Sequence, residues 1–218
     1  MSHPFLRRKI MFTALLLTAM LPAIGCQNLL FTAVYLFKGT DVDPDFADLK
    51  GKKVAVVCRP MASLEYASPN VSRDLAQQIS VLLQEQVPKI KVVDQRKIAK
   101  WTDENTWDEY PEVGKAMKAD IVVAVDLESF SLYQGQTLYQ GKANATIRVF
   151  DCKKGGKEVF RKSIPEAVYP PNAPMPASER TPTAFQTEFV AVLANQIARH
   201  FFAHDPYADL GQDAAALK

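Results

Sequence analysis

One segment limits the fold more than any other. From Tyr139 to Asp151 the side chains alternate: Tyr139, Gly141, Ala143, Ala145, Ile147 and Val149 fall on one side. Gln140, Lys142, Asn144, Thr146, Arg148 and Phe150 fall on the other. Successive strand residues point to opposite faces, so this run predicts a strand with one apolar and one mainly polar face. Such a strand belongs in an antiparallel ladder with one face toward water. Ile121 to Leu132 is its expected hairpin partner, and Glu158 to Ile164 follows after the Lys153-Lys154-Gly155-Gly156-Lys157 turn. The Gln134–Gln136 turn and the 153–157 turn are both short.

The segment Lys53-Val54-Ala55-Val56-Val57-Cys58 is different. It is apolar without alternation, as in a strand buried on both faces. Arg59-Pro60 is expected to end it. A helix follows, capped by Ser68 or Asn70 with Pro69 in its first turn. Val71, Leu75, Ile79, Leu82, Leu83 and Val87 form its apolar stripe. Ile90 to Asp94 reads as a short strand, and residues 95–101 and 113–117 as short helices. Residues 165–182 hold six of the fourteen prolines and read as an extended loop. The strongest helix comes last, with a capping box from Thr183 to Gln186 and a stripe of Phe185, Phe189, Val192, Leu193, Ile197 and Phe201.

The order β-α-β-α-α-β-β-β-α predicts an α/β fold. It is a compact sandwich with a mixed sheet of about five strands, an antiparallel meander, helices packed on the sheet and a long C-terminal helix. At 218 residues the chain holds one domain, assigned to 53–204, with a polar, alanine-rich tail over 205–218.

The amino end reads as an address. Arg7, Arg8 and Lys9 precede an uncharged apolar stretch from Ile10 to Leu21, and Pro22-Ala23-Ile24-Gly25 leads to Cys26. That is a signal-peptide pattern over residues 1–25, too short for an ordinary membrane span. Ile24-Gly25-Cys26 resembles the lipobox of bacterial lipoproteins, departing from it at Ala23. The resemblance implies acylation of Cys26, which becomes the first residue of an exported chain anchored in a membrane. Residues 26–52 are then anchor and short tether. Within them, Leu29 to Phe37 reads equally as an interfacial segment or as a first helix packed on the domain. Gln27 lacks the acidic retention mark of some inner-membrane lipoproteins, which favours the periplasmic face of the outer membrane.

Three of the 26 basic residues and none of the 24 acidic ones lie in this leader. The rest of the chain is close to neutral and lacks the basic excess of a nucleic-acid binder.

The pattern over 53–204 has a further resemblance. Gly114, Ala119 and Asp120 match a "G-x-x-x-x-A-D" step into a strand, and Val149-Phe150-Asp151 matches a "V-x-D" strand end. Both are similar to a group of envelope lipoproteins: the curli-secretion channel lipoprotein, the outer-membrane activators of penicillin-binding proteins, and the amino-terminal domain of the Tol-system β-propeller protein. The two short turns cannot supply the membrane hairpins of a channel. Gln27–Lys50 would reach only ~80 Å fully extended, short for a wall-crossing stalk.

Chemistry-bearing motifs are scarce. There is no nucleophile elbow, phosphate loop or dinucleotide fingerprint, so no catalytic residue and no cofactor is assigned. His200 and His204 lie four apart on the expected last helix, but the sequence offers no third ligand, and no metal site is assigned. Cys58 and Cys152 read as small buried hydrophobes rather than a bridge. Asp126 and Glu128 read as surface groups, and Trp101 as a continuation of a helical stripe. Trp107, in an aromatic and acidic stretch, reads equally as a loop anchor or a partner site.

The expected function is therefore non-catalytic. An envelope lipoprotein would contact an unidentified envelope protein through Trp107 or through the face of Gln140, Lys142, Asn144, Thr146 and Arg148. An envelope hydrolase with an unrecognised site, or a small-ligand carrier with a pocket under the Pro-rich loop, are the alternatives.

Overall fold

The computed structural model describes residues 41–60 and 70–206. The leader, Cys26, the 29–37 segment and the tail beyond 206 lie outside the described residues. The strands are β1 (Lys53–Pro60), β2 (Lys91–Val92), β3 (Ile121–Gln134), β4 (Leu138–Asp151), β5 (Lys157–Tyr169) and β6 (Met175–Pro176). The helices are α1 (Val71–Gln86), α2 (Gln95–Glu104), α3 (Tyr110–Ala116) and α4 (Pro182–Ala198). The sheet runs β2-β1-β3-β4-β5, with β6 on the end of β4. β1 is parallel to β2 and β3; β3, β4 and β5 form the antiparallel meander. Among the described residues, no helix is long and apolar enough to cross a membrane.

Alternation sorts the strands' side chains onto two faces. Val54, Val56, Ile121, Val123, Val125, Ala145, Ile147 and Val149 point to face one, where α1 and α4 cover them with Leu75, Ile79, Leu83, Phe189, Leu193 and Ile197. Ala55, Val57, Val122, Ala124 and Phe150 point to face two, under Ile98 of α2 and Tyr110 and Val113 of α3.

Several boundaries differ from the expectation. β1 continues through Arg59 and Pro60, which sits opposite Leu127 as the last residue of the ladder, where a missing amide matters least. β5 runs on to Tyr169, through Pro165. It is an edge strand, and its register slips between Ile164 and Ala167, so Pro165 falls in a bulge that needs no ladder bond from it. The Pro-rich stretch also supplies β6, paired with Leu138 and Tyr139. α1 starts after Asn70, whose side chain makes no capping bond. α4 is capped by Thr181 rather than Thr183: its side chain accepts from the Ala184 amide, and Pro182 takes the first turn.

Residues 42–49, expected as tether, pack on the body. Val42 pairs with His204, the Phe46 amide donates to the His200 carbonyl, and Leu49 is fully buried. Asp45 binds Lys162 at 2.7 Å and also His200. One buried leucine and a few isolated contacts leave no periodic trace in a sequence. His200 lies in a 3-10 turn (Arg199–Phe201) and His204 in the extended bridge, so the two histidines share no helical face.

The matched "G-x-x-x-x-A-D" residues have local reasons. A Cβ on Gly114 would lie 2.4 Å from Cys152 Sγ, so only glycine lets α3 approach that turn. Asp120 accepts from the Lys53 amide and from Lys153 Nζ, both at 2.8 Å, tying β1 to the β4–β5 turn. Asp151 caps that turn by accepting from the amides of Lys153 and Lys154.

Candidate functional site

α2 and α3 cover only the β2-β1-β3 end of face two. Beyond Phe150 the face is polar, and its side chains interlock. Arg148 Nε and Nη2 both bind Glu158 Oε2, at 2.8 and 2.7 Å. Arg161 Nε donates to the other oxygen of Glu158 at 2.7 Å. These two guanidinium groups, Arg161 foremost, hold the Glu158 carboxyl below its ordinary range. Arg148 Nη1 lies 3.6 Å from Asp126, which also accepts from the Tyr110 hydroxyl. Burial of its ring, reinforced by that carboxylate, raises the Tyr110 phenol well above its ordinary value. It stays a neutral donor.

Tyr110 reaches Asp126 because α3 starts there. Glu109 caps the helix in a reciprocal capping box with Glu112, which fixes the first residue against the sheet. Around this bond lies an aromatic and cationic stack. The Arg59 guanidinium carbon sits 4.0 Å above the Trp107 ring and 5.0 Å from that of Tyr110. Arg148 lies 4.9 Å over Phe150. Arg59 also donates to the Asp108 carbonyl at 3.0 Å. Further along the face, Ser129 Oγ accepts from the Asn144 amide and side chain at 3.0 and 2.8 Å, and Thr146 donates to Glu128 at 2.7 Å.

The sequence candidates distribute unevenly. Lys142, Asn144 and Arg148 lie on this face and are partly exposed. Gln140 does not belong to the open surface: it is 8% exposed, and its Nε2 donates to the Pro170 carbonyl at 3.2 Å. Trp107 is half-buried and joins the same face through Arg59 and Tyr110, so two surfaces expected separately are one. Asp126 is partly exposed, and its carboxylate is claimed by Tyr110 and Arg148. Sequence reasoning missed Tyr110, Arg59 and Glu158, since their partners lie far off in the chain.

Two other candidates also resolve. Cys58 and Cys152 are free thiols; Cys58 pairs with Val125 in the ladder while the Cys152 amide bonds Asp120, toward the opposite end of β3. No cluster of three metal-ligating side chains exists among the described residues. Near the Pro-rich loop, Tyr139 stacks on Phe185 at 4.7 Å, and Phe185 on Tyr169 at 6.0 Å.

No protein-family model matches the chain, and no curated protein matches it. Solved structures do. The chain is similar to the PelC dodecamer protein from Paraburkholderia phytofirmans, with a TM-score of 0.42 and 11% identity over 73% of this chain and 93% of that one. It is similar to lipoprotein GNA1162 from Neisseria meningitidis, with a TM-score of 0.42 and 15% identity over 67% of this chain and 97% of that one. A minor lipoprotein from Acinetobacter baumannii gives a TM-score of 0.31 and 15% identity over 68% and 91%.

Proposed function

We propose that this chain is an exported lipoprotein, anchored through Cys26, that serves envelope assembly or maintenance by binding another envelope protein rather than by catalysis. The anchor rests on the leader and on Ile24-Gly25-Cys26. The docking surface is the open half of face two, centred on Arg148 and bounded by Trp107, Lys142 and Asn144. Its acids support binding over catalysis. Asp126 and Glu158 are each held by an arginine, Asp126 also by a phenol, and Glu158 is kept ionised, whereas a general acid needs a raised pKa. Within envelope lipoproteins, the pattern resemblance to the curli-secretion, activator and Tol group fits a binding role. The β3–β4 turn, only residues 135–137, leaves no membrane hairpin there.

Photo-crosslinking in intact cells tests the surface. Benzoylphenylalanine at position 144 should give one discrete adduct. The same group at Val81, exposed on α1 at 39%, should give none. Equal adducts from both positions, or none from 144, would refute the docking face. Labelled palmitate should enter the wild type and not Cys26→Ser; label in both would refute the anchor.

A further inference from the structure

The sheet has a second opening, at the end of β2. That strand pairs only with Lys53 and Val54, so beyond them β1, paired with β3 on one side, has no strand on the other. Side chains serve the bare edge instead. Gln95 Nε2 donates to the Val56 carbonyl at 2.9 Å and to Ser80 Oγ at 2.7 Å. The chain leaves β1 for α1 on face one and leaves β2 for α2 on face two. Where neighbouring parallel strands send their connections to opposite faces, a crevice opens beyond their carboxyl ends. Here it is a cleft of 330 Å³ between the amino ends of α1 and α2. Small-ligand pockets start at about this size, roughly 300 Å³.

The lining is apolar at Val57, Ile98, Ala99 and Trp107, and polar at Ser72, Gln77, Gln95 and Thr102. Ser72 is only 8% exposed, and its hydroxyl has no partner among the described residues. It sits in the first turn of α1, a helix of 16 residues whose N-cap makes no side-chain bond. The amides of Val71, Ser72 and Arg73 therefore lack acceptors inside the helix. Free amides at a helix start, with the positive end of the dipole, favour an anion. α2 offers no such end, because Asp94 already accepts from the Arg96 amide. The surrounding charges are balanced. Arg73 pairs with Asp103 at 2.6 Å, Arg96 with Asp94 at 3.0 Å, and Asp74 stands in the first turn of α1. A single negative charge fits this setting better than a dianion, which would meet Asp74 and Asp103.

We propose that this cleft binds a small organic monocarboxylate, with the carboxylate at Ser72 Oγ and the α1 amides and the apolar body against Val57, Ile98, Ala99 and Trp107. The site meets the docking face only at Trp107 and is independent of the lipid anchor.

The test is an amide-resolved NMR titration of the full chain in detergent micelles with sodium phenylacetate. Saturable shifts are expected at the amides of residues 71–74 and 95–99. Ser72→Ala should weaken binding about tenfold, the usual effect of losing a hydrogen bond to a charged group. Ala99→Leu, which fills the cleft, should abolish it. Neutral 2-phenylethanol and inorganic phosphate should each bind at least about tenfold more weakly, since one lacks the charge and the other the apolar body. Affinities are compared at free ligand concentrations measured beside the micelles, because the neutral alcohol partitions into detergent more than either anion. The proposal is overturned if those amides do not shift, if both variants bind like the wild type, or if phenylethanol or phosphate matches phenylacetate.

Discussion

The two faces of the sheet are held by different physics. Face one is closed: α1 and α4 lay Leu75, Ile79, Leu83, Phe189, Leu193 and Ile197 on it, each without exposed surface. Face two is closed only beneath α2 and α3 and then passes into a lattice of arginines, acids and hydroxyls. The same strand makes both: β4 sends Ala145, Ile147 and Val149 one way and Asn144, Thr146 and Arg148 the other. Apolar burial supplies most of the stability of such a domain, while partly exposed ion pairs add little. A set of paired charges contributing little to the fold, on the part of face two that no helix covers, is what the docking face proposed above would present to a partner.

The sharpest way to break this contrast is to damage face one. Phe189 is fully buried, stacks on Phe130 at 5.2 Å and lies where a Cβ on Gly141 would come within 2.5 Å of its ring. Phe189→Ala should cost about 3–5 kcal/mol in urea denaturation, by lost transfer energy plus a cavity. A loss below about 1 kcal/mol would mean that face one is not the tight core described.

The covered end of face two gives the next effect, and its sign is diagnostic. Glycine to alanine inside a helix ordinarily stabilises by up to about 1 kcal/mol. At Gly114 the added methyl would lie 2.4 Å from Cys152 Sγ and 2.5 Å from Val122 Cγ2. Gly114→Ala should therefore destabilise by about 1–3 kcal/mol, as overpacking does. Adding Cys152→Ala should recover part of the loss. A stabilised Gly114→Ala protein would show that α3 does not pack this closely.

The open end of face two should respond to pH. Arg161 and Arg148 hold Glu158 below its ordinary value of 4.5. A carboxylate depressed in the folded state contributes stability that is fully present above its unfolded value and fades as pH falls through the lower folded one. The wild type should thus lose stability more steeply than Glu158→Gln below about pH 4.5, and the two slopes should agree near neutrality. Parallel slopes throughout would remove Glu158 from the ion-pair lattice.

The faces also differ in how readable they are. Face one is written in periodicity: the α1 stripe, the alternation of β4 and the apolar run of β1 each predict their own burial. Face two is written in pairs. Tyr110 and Asp126 are 16 residues apart, Arg59 and Asp108 49 apart, and nothing local marks either. Lys142, Asn144 and Arg148 were legible because a strand's polar side is a pattern, whereas Gln140 obeys that pattern and is still drawn in by the Pro170 carbonyl. Pro165 misled for a related reason: whether a proline breaks a strand depends on the strand being an edge and on a bulge, both properties of the sheet rather than of the segment. The Ser72 cleft lies where β1, α1, α2 and the Trp107 loop meet, and could be seen only once α1 and α2 were known to leave for opposite faces.

The smallest expected change in stability is the most informative about function. Lys142 lies on the open half of face two, opposite Ser131 in the ladder and opposite Val168 on the other side. Its charge has no carboxylate within ion-pair distance among the described residues, so Lys142→Glu should shift stability by no more than about 0.5 kcal/mol. At a docking face the same change places a negative charge where a positive one was presented, and reversal of that kind slows association and disfavours the right partner. The crosslink from position 144 should then fall several-fold while the urea midpoint stays put. If the adduct survives Lys142→Glu unchanged, the partner does not read this half of the face. The arginine and tryptophan cluster around Tyr110 would then have to carry the contact alone.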